Sequence, residues 1–396
     1  MKWEKVKLGN VCEITSSKRI FYSEYVDDGV PFYRSKEIIE SDEGKVIENP
    51  LYISVDKYNE IKEKFGVPQI GDMLLTSVGT IGIPYIIKKK DCFYFKDGNL
   101  TWFRDFREDL NSKYLYYWIK SSEGTGILYN ATIGSSQKAL TISALKNIKV
   151  SLPPRSVQDK IVEVVSAYDD LIENNQKQIK LLEEAAQRLY KEWFVDLRFP
   201  GHENTKIVDG VPEGWNEKTL SQVANVIMGQ SPKSEFYNSE KKGLPFHQGV
   251  GSYGVRFVID DIYSTSYTRI AEPNSILFSV RAPVGRLNIT KNKVVIGRGL
   301  AAINQTDGCQ SYLYYLLKNK FFKDNIVGNG SIFASVSKDE LLNQKFLIPE
   351  RNLMMQFEKI VSQMDKQIEN LDSKNKKLIE ARDRLLPKLM SGEVEV

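Results

Sequence analysis

The side chains that most often perform catalysis or bind metals are scarce in this chain. Its two histidines, His202 and His247, are too few for an imidazole metal site or a histidine relay in more than one place. The three cysteines, Cys12, Cys92 and Cys309, lie far apart and form no CxxC pair, so neither a zinc site nor a disulfide framework is expected. These residue types argue against metal and thiol chemistry.

Motifs for cofactor-dependent group transfer are also missing from the sequence. An amino-methyltransferase needs an Asn/Asp-Pro-Pro-aromatic loop and a Gly-rich cofactor turn, but the nearest string, Asn49-Pro50-Leu51-Tyr52, lacks the second proline. We interpret that string as an ordinary turn. A GxxxxGK[ST] loop for ATP is likewise missing from the sequence. We therefore expect a chain that binds no cofactor itself and is not an enzyme.

Composition is compatible with a cytoplasmic protein of two domains. Of the 396 residues, 41% are hydrophobic, which is enough for two cores of ordinary size. The N-terminus is charged, and the most apolar stretch, Ile81–Ile87, is too short to span a bilayer, so no membrane association is expected. The net charge of +4 permits a nucleic-acid partner without requiring one.

Short blocks of sequence occur twice in the same order, which indicates an internal duplication. Between the earlier blocks the spacing drifts, whereas the last pair aligns without a gap. The matched blocks are Trp3-x4-Leu8-x2-Val11 with Trp215-x4-Leu220-x2-Val223, Gly29–Phe32 with Gly243–Phe246, Leu74–Val78 with Ile276–Val280, Tyr114–Lys120 with Tyr312–Lys318, Leu152-Pro153 with Ile348-Pro349, and Val165–Leu189 with Val361–Leu385.

Each copy of the repeat is predicted to be an α+β domain. Short apolar or alternating runs at Val30–Arg34, Met73–Val78, Tyr85–Lys88 and Leu100–Arg104 predict strands, and Ser112–Ser121 predicts an amphipathic helix. The resulting domain scheme is a first domain at 1–153, a first helix at 154–197, a linker at 198–214, a second domain at 215–349, and a second helix with the tail at 350–396.

Two long segments carry an apolar seam with alternating steps of four and three residues, which predicts a coiled coil. Ser156 with Asp159 predicts a capping box at the start of the first helix, and Pro387 is expected to end or bend the second. The seam residues are Ile161, Val165, Tyr168, Ile172, Asn175, Ile179, Leu182, Ala186, Leu189 and Trp193 in the first helix, and Phe357, Val361, Met364, Ile368, Leu371, Asn375, Leu378, Arg382, Leu385 and Leu389 in the second.

The asparagines in the two seams predict how the helices pair. Asn175 is fifth of ten in its seam and Asn375 is sixth of ten, so a parallel pair would set each amide against Leu371 or Ile179. An unsatisfied buried amide costs roughly 1–3 kcal/mol. In an antiparallel pair the two amides meet and fix the register. The alternative is that each helix packs only on its own domain.

Antiparallel pairing would place the two domains at opposite ends of a rod with a pseudo-two-fold axis. The seam from Ile161 to Trp193 is about 48 Å long at roughly 1.5 Å per residue. Two binding domains held that far apart could contact DNA on the order of one to one and a half turns apart.

Five segments of the chain match the sequence pattern of a known family, namely Leu189–Glu203, Gly210–Trp215, Leu385–Glu393, Gly134–Leu145 and Ile276–Arg286. Through them the chain resembles the specificity subunits of type I restriction-modification enzymes. The resemblance covers essentially the whole chain, in the order recognition domain, helix, recognition domain, helix.

The resemblance implies a non-catalytic subunit that reads double-stranded DNA. In this family each recognition domain binds one half of a split, asymmetric target, and the paired helices set the gap. Two methyltransferase subunits dock on the chain, bind S-adenosylmethionine and methylate adenine, and restriction subunits that use ATP can join them. The competing interpretations are a coiled-coil protein scaffold that does not bind DNA, and a self-sufficient methyltransferase, which the missing motifs disfavour.

Base reading requires polar forks at base edges and cations on phosphates. We expect Arg34 to suit guanine and Gln248, at the matching place in the second copy, to suit adenine. Any one candidate could instead be solvated or structural. The candidates are Lys18, Arg19, Tyr33, Arg34, Ser35, Lys36, Ser77, Thr80, Ser136, Gln137 and Lys138 in the first copy, and Gln230, Ser231, Lys233, His247, Gln248, Arg281, Arg298 and Ser331 in the second.

Two further features have alternative interpretations. The aromatic residues of Tyr114–Trp118 recur in both copies at helical spacing, which favours core packing over base stacking. The run Lys88-Lys-Lys-Asp91 could follow a phosphate backbone or form a charged turn.

Overall fold

The computed structural model of the chain describes residues 3–45, 47–134, 138–321 and 335–396. It divides into two units that do not follow the order of the sequence. Unit 1 consists of residues 1–177 and 372–396, and unit 2 consists of residues 178–371. Each unit therefore contains one α+β domain and a section of both long helices.

Unit 1 contains two four-stranded sheets and one two-stranded sheet. Their strand orders are β2-β9-β6-β7, β3-β5-β4-β8 and β1-β10, and all pairs are antiparallel except β4 with β8. The strands are β1 (Glu4–Lys7), β2 (Glu13–Thr15), β3 (Tyr25–Val26), β4 (Val30–Tyr33), β5 (Leu51–Ile53), β6 (Met73–Thr76), β7 (Pro84–Ile86), β8 (Tyr94–Phe95), β9 (Leu100–Arg104) and β10 (Lys149–Leu152).

The helices of unit 1 begin at polar caps and bury their apolar faces. The side chains of Asn111, Ser121 and Thr141 each accept a backbone N–H two or three residues later, which starts α3, α4 and α5. The core beneath them includes Trp118 and Phe103, both fully shielded from solvent. The helices are α1 (Ser35–Asp42), α2 (Val55–Phe65), α3 (Ser112–Lys120), α4 (Ser122–Asn130) and α5 (Ile142–Asn147), followed by the long α6 (Arg155–Phe194).

Unit 2 repeats these sheets with one additional edge strand. Its main strand orders are β14-β22-β19-β20, β15-β17-β16-β21-β18 and β13-β23. The strands are β11 (Ile207–Val208), β12 (Val211–Pro212), β13 (Asn216–Thr219), β14 (Ala224–Met228), β15 (Tyr237–Asn238), β16 (Leu244–His247), β17 (Tyr263–Ser264), β18 (Ile270–Ala271), β19 (Ile276–Ser279), β20 (Leu287–Ile289), β21 (Val294–Ile296), β22 (Leu300–Gln305) and β23 (Lys345–Ile348).

The described helices of unit 2 pack on the same sheet as their counterparts in unit 1. The helix at Gln310 corresponds to α3 and buries seven consecutive residues, Ser311–Leu317. The helices are α7 (Leu220–Val223), α8 (Gln310–Phe321) and α9 (Lys338–Leu342), followed by the long α10 (Arg351–Ser391). No helix in the described ranges is long and apolar enough to cross a membrane.

The matching sheets confirm the predicted duplication and the α+β class, but correct one alignment by a residue. Thr76 ends β6 and its Oγ1 accepts the N–H of Ile83, while Ser279 ends β19 and its Oγ accepts the N–H of Arg286. Ser77 therefore matches Val280, not Ser279 as the aligned blocks implied. Every residue of both strands is buried, so the apolar pattern could not fix the register.

The long helices run antiparallel within each unit, and every predicted seam residue is buried or half-buried. In unit 1, Val165 packs in the same core cluster as Leu389. In unit 2, Ile179 packs with Ile368. Asn175 Nδ2 donates to Asn375 Oδ1 at 2.7 Å, the pairing that an antiparallel register requires.

The ends of the helices differ from the sequence-based expectations. Helix α6 begins at Arg155, so Ser156 lies inside the first turn and is not a cap. The Asp159 carboxylate instead accepts from the Arg155 guanidinium at 2.8 Å and from the Asn111 amide at 2.7 Å. Helix α10 continues through Pro387 to Ser391 and does not end at the proline.

The segment between α6 and β13 has local structure of its own. It contains a 3-10 turn at His202–Asn204 and a short hairpin of β11 and β12. Phe199 is buried against Trp215, with ring centroids 5.5 Å apart. The predicted linker is therefore anchored in the core of unit 2.

Candidate nucleic-acid interface

Three polar loops meet at one edge of unit 1 because β4 and β8 are parallel. Their carboxyl ends lie side by side, and the Lys96 N–H donates to the Tyr33 carbonyl at 2.9 Å. The loop after β2 joins them, since the Lys18 N–H donates to the Tyr94 hydroxyl at 2.7 Å. We call this the unit 1 loop site, formed by the segments that follow β2, β4 and β8.

Ion pairs fix the two arginines of the unit 1 loop site. The Arg19 guanidinium lies 2.9 Å from the Asp97 carboxylate. Arg34 Nη2 and Nε donate to the two carboxylate oxygens of Glu37 at 2.5 and 3.2 Å. Burial alone would raise the pKa of Glu37, but hydrogen bonds from the Arg34 side chain and backbone outweigh burial and lower that pKa. Arg34 is therefore held by an ionised carboxylate.

Two hydroxyls of the unit 1 loop site have no hydrogen-bond partner among the described residues, and two of its lysines are exposed. The hydroxyls of Ser16 and Ser35 are shielded from solvent and form no hydrogen bond there. Lys18 and Lys36 are exposed, with Lys18 Nζ 4.3 Å above the Phe65 ring and Lys36 only 3.7 Å from Glu40. Buried hydroxyls normally have partners.

Unit 2 brings the equivalent three loops together around an open cavity of 1420 Å³. Strands β16 and β21 are parallel, and the Gly297 N–H donates to the His247 carbonyl at 2.8 Å. The loop after β14 joins through the Gln230 N–H, which donates to the Ile296 carbonyl at 3.0 Å. Predicted residues that line this cavity are Gln230, Ser231, Lys233, Gln248 and Arg298.

Hydrogen bonds orient the polar groups of this unit 2 loop site. The Ser231 hydroxyl donates to Gln248 Oε1 at 2.8 Å and accepts the Arg298 backbone N–H at 3.2 Å. The Gln248 side chain is exposed at the mouth of the cavity. Its amide nitrogen remains free of bonds to the described residues, so the amide is oriented and can still donate.

His247 supports the cavity from within and does not face it. It is only 1% exposed, and its ring nitrogens lie 2.9 Å from the Ser252 hydroxyl and 3.1 Å from the Asp260 carboxylate. A side chain enclosed in this way cannot reach a base edge. The next residue, Gln248, is the one that lines the cavity.

Equivalent positions in the two loop sites carry different side chains. Tyr25 packs on Phe32 in unit 1 as Tyr237 packs on Phe246 in unit 2, with ring centroids 5.3 and 4.6 Å apart. Counting from these anchors sets the correspondence. It matches Lys18 with Gln230, Arg19 with Ser231, Arg34 with Gln248, and Asp97 with Arg298. The two sites share a backbone arrangement and differ in charge.

Several predicted residues lie outside the loop sites. Ser77 is buried and bonded to Thr101 at 2.6 Å. Thr80 and Arg281 belong instead to the loops after β6 and β19, and Arg281 forms a backbone bridge with Ser335. Lys138 lies 3.7 Å above the Tyr129 ring. Ser136, Gln137 and Ser331 are outside the described residues.

Sequence reasoning missed Lys96 and Asp97, although the repeat contained a usable signal. Asp97 follows β8 at the place where Arg298, which was a candidate, follows β21. The two flanking strands share little sequence, so no repeated block marked the pair.

The aromatic run and the Asn49–Tyr52 string are structural, and the lysine run forms a turn. The aromatic side chains of Tyr114, Tyr117 and Trp118 are buried in the core. Lys88–Asp91 is a turn in which the Asp91 carboxylate accepts the Lys88 N–H at 2.8 Å. Asn49 has a φ of 52° and precedes β5, so the Asn49–Tyr52 string is a turn leading into a strand.

Repeated α+β domains with long antiparallel helix pairs and polar loop sites define a duplicated binding protein. The family model for the type I restriction modification DNA specificity domain matches this chain twice, at residues 1–184 and 212–381. The two matches cover most of the chain, one for each copy of the repeat. The chain belongs to this family.

Relatives and a solved structure agree with this assignment. A Methanocaldococcus jannaschii protein named as the MjaX specificity subunit of a type I restriction enzyme is 30% identical over 83% of this chain and 79% of its own length. The MjaIX specificity subunit of the same organism is 27% identical over 100% of this chain and 94% of its own. The type I restriction-modification S subunit from M. genitalium shares the fold, with a TM-score of 0.60 and 18% identity over 98% of this chain and 96% of that one.

Proposed function

We propose that this chain is the DNA-reading subunit of a type I restriction-modification enzyme. Each loop site binds one half of a split, asymmetric target in double-stranded DNA. The observation that carries the proposal is that one backbone arrangement presents Arg19, Arg34 and Asp97 in unit 1 but Ser231, Gln248 and Arg298 in unit 2. Equivalent sites with different donors and acceptors are what reading two unlike half-sites requires.

The side chains at the loop edges suit direct reading of bases. Arg34 keeps guanidinium hydrogens free while Glu37 holds its plane, which fits the paired acceptors of guanine. Gln248 keeps its amide donor free while Ser231 orients its oxygen, which fits adenine. The exposed Lys18 and Lys36 are placed to contact phosphates, which position the protein without reading sequence.

The long helices and the partner subunits complete the proposed assembly. The paired helices set the number of unread base pairs between the half-sites. Two methyltransferase subunits dock on the chain, bind S-adenosylmethionine and methylate adenine. Restriction subunits, where present, add ATP-dependent cleavage. The names of the relatives, which are specificity subunits of restriction enzymes, support this division of labour.

Mapping of methylated adenines tests the proposal directly. The chain is co-expressed with its cognate methyltransferase subunit in a host that lacks adenine methylation, and the genome is sequenced by a method that detects the modified base. The expected result is one split motif with an unread gap. Methylation of a single continuous motif, or none from an assembled complex, would contradict the proposal.

The salt dependence of binding separates a DNA reader from a protein scaffold. A complex that neutralises several phosphates loses about 10³-fold or more in affinity between 50 and 200 mM salt. A scaffold that binds only protein shows no such slope on a duplex that contains the motif. Assembly with the methyltransferase subunit without salt-sensitive DNA binding would favour the scaffold.

A further inference from the structure

We propose that Phe21 and Tyr22 form an aromatic wedge that enters a base step beside the half-site read by unit 1. This inference rests on the proposed function and deepens it, because it assigns a DNA-deforming contact to one of the two recognition units. The partner is the DNA duplex, and the contact is made to a base step, not to a phosphate.

Two adjacent aromatic side chains in this turn are largely open to solvent. The side chain of Phe21 is 62% exposed and that of Tyr22 is 90% exposed. Together they project a large apolar surface from a short turn. Neighbouring exposed aromatics mark an interaction site more often than isolated ones do.

The turn that carries the aromatics is fixed in place. Residues Tyr22–Glu24 form a 3-10 turn, and the Phe21 N–H donates to the Glu24 carboxylate at 2.8 Å. Glu24 is in turn 3.0 Å from Lys57. The Tyr22 ring meets the Tyr25 ring edge to face, with centroids 5.9 Å apart. A side chain that must separate stacked nucleobases needs such a rigid support from the backbone.

Tyr25 places the wedge next to the unit 1 loop site. Its ring packs on the buried Phe32, with centroids 5.3 Å apart. Burial raises the pKa of the Tyr25 hydroxyl, Arg34 lowers it and Asp97 raises it, so this hydroxyl lies within the field of both loop residues. The proposed wedge therefore lies next to the residues that are proposed to read bases.

The cations that precede the turn suit a DNA partner. Lys18 and Arg19 lie three and two residues before Phe21, and both are exposed. Proteins that kink DNA combine cations on the backbone with an apolar side chain inserted between base pairs. An aromatic pair beside lysine and arginine has this combination.

The corresponding turn of unit 2 has no aromatic side chain at the two positions that match Phe21 and Tyr22. Counting back from Tyr237, which matches Tyr25, places Lys233 and Ser234 where Phe21 and Tyr22 lie. Ile20 and Pro232 are both buried at the position before them, which supports the correspondence. The wedge is thus expected beside one half-site only.

The test uses the complex with the methyltransferase subunit and duplexes in which 2-aminopurine replaces single bases. Its fluorescence rises when the base loses stacking. For the unaltered complex we expect a rise at a step beside the half-site read by unit 1, in addition to a rise at the adenines that the methyltransferase flips out. We expect Phe21→Ser/Tyr22→Ser to abolish the first signal, retain the second, and weaken binding about tenfold, the effect of losing a base–aromatic stack.

The matched control is Ile70→Ser, because the Ile70 side chain is 69% exposed in the same unit but lies in another turn. It should change neither fluorescence nor affinity. If the flipped-base signal is present but no other step responds, or if the double variant leaves the extra signal intact, the wedge is overturned and the proposed function stands. Loss of both signals from the unaltered complex would contradict the proposed function itself.

Discussion

Arg34 and Gln248 occupy the same place in the repeat but are held by different neighbours. Arg34 is clasped by Glu37 within its own helix turn, whereas Gln248 is oriented by Ser231 from a separate loop. An arginine that is already held by an ion pair loses less side-chain freedom when it binds, so its contact discriminates bases more sharply. The supporting residue is therefore expected to matter for specificity although it does not itself contact DNA.

We predict that Arg34→Ala relaxes specificity at one base pair of one half-site. Removal of a paired contact to a base costs about 1–3 kcal/mol of discrimination. Glu37→Gln should reduce discrimination at the same base pair by a smaller amount, because Arg34 remains but is no longer held by an ionised carboxylate. The measurement is the methylation motif, together with binding to duplexes substituted at each position.

Lys36→Ala is the matched control for these variants. Its ammonium is exposed and weakly paired, so its loss should reduce binding to all sequences alike and lower the salt slope by about one. A methylation pattern unchanged in both motif and level by Arg34→Ala would remove that residue from the reading site.

The ion pair between Arg34 and Glu37 also has a predictable dependence on pH. The pKa of Glu37 is lowered in the folded protein, so the Arg34–Glu37 pair stabilises unit 1 above the ordinary carboxyl pKa and is lost as pH falls through the lowered value. Discrimination at the Arg34 base pair should therefore be constant between about pH 6 and 8. A decline in discrimination over that interval, measured by binding to matched and mismatched duplexes, would contradict the claim that an ionised Glu37 holds Arg34.

At the residue scale, the sequence predicted the loops better than the individual side chains. Gln248 reaches the cavity whereas the adjacent His247 is buried, because successive residues at the end of a strand point to opposite faces. Ser77 was misaligned by one residue because every residue of β6 and β19 is buried, so the apolar pattern did not fix the register. Lys96 and Asp97 were missed because β8 and β21 share little sequence, so no repeated block aligned Asp97 with Arg298.

At the element scale, the asparagine pair is a buried polar contact in a mostly apolar seam. Asn175 and Asn375 are 9% and 8% exposed, so each amide depends on the other for its hydrogen bond. We predict that Asn175→Leu alone lowers the free energy of unfolding by about 1–3 kcal/mol, because Asn375 is left buried and unpaired. The double variant Asn175→Leu/Asn375→Leu should recover most of the loss.

A double-mutant cycle in urea measures this coupling. Additive losses in the double variant would show that the two amides do not depend on each other. Paired cysteines give a second check. Efficient disulfide formation between Asn175→Cys and Leu371→Cys, and none between Asn175→Cys and Asn375→Cys, would contradict the antiparallel register.

Arg256 joins three elements of unit 2 through a buried network. Its guanidinium lies 2.6 Å from Asp365 of α10 and 3.5 Å from Glu183 of α6, and stacks 3.7 Å from the Tyr314 ring of α8. Burial alone would lower the pKa of Arg256, but the surrounding hydroxyls and carboxylates outweigh it and raise that pKa. The charge is thus retained inside the unit.

We predict that Arg256→Ala destabilises unit 2 by about 3–5 kcal/mol, because it leaves the two carboxylates without their cation. The exposed Arg269 is the matched control, and Arg269→Ala should cost less than about 0.5 kcal/mol. Calorimetric unfolding of the two variants supplies the comparison. Equal transition temperatures would show that Arg256 does not anchor these elements.

The long helices were predicted well because many residues contribute to the same repeating pattern. Twenty seam positions across two helices predict the coiled coil, whereas the capping box at Ser156 depended on two residues and was wrong. Helix α10 continues past Pro387 because leucines on both sides, Leu386 and Leu389, are buried and hold the last turn in place. The packing of these leucines thus outweighs the tendency of a proline to end a helix.

At the scale of the whole molecule, the duplication separates what the two copies share from what distinguishes them. Apart from the additional edge strand of unit 2, sheet order and helix pairing are the same in both units, whereas the loops after β2 and β14 differ at most positions. Under the proposed function, a new half-site can arise by changing loops without altering the helices, and a new gap can arise by changing the helices alone.

The helices can therefore be altered without touching either loop site. We predict that one extra heptad in α6 after Lys177, together with one in α10 before Asp372, widens the unread gap by about three base pairs. Seven residues add about 10 Å at 1.5 Å per residue, and each base pair occupies about 3.4 Å. The seam stays in phase because a whole heptad is added at the same level of both helices.

The methylation motif of this doubly extended variant is the measurement, and the same two half-sites should be recovered around a longer gap. A heptad in α6 alone is the control, since it leaves seam residues without partners and should destabilise the chain and abolish methylation. Two residues added to each helix should fail in the same way, because a rotation of about 200° turns the seam to the opposite face of the helix. A stable, active double extension with the original gap would show that the helices do not set the spacing, and that another contact in the assembly does.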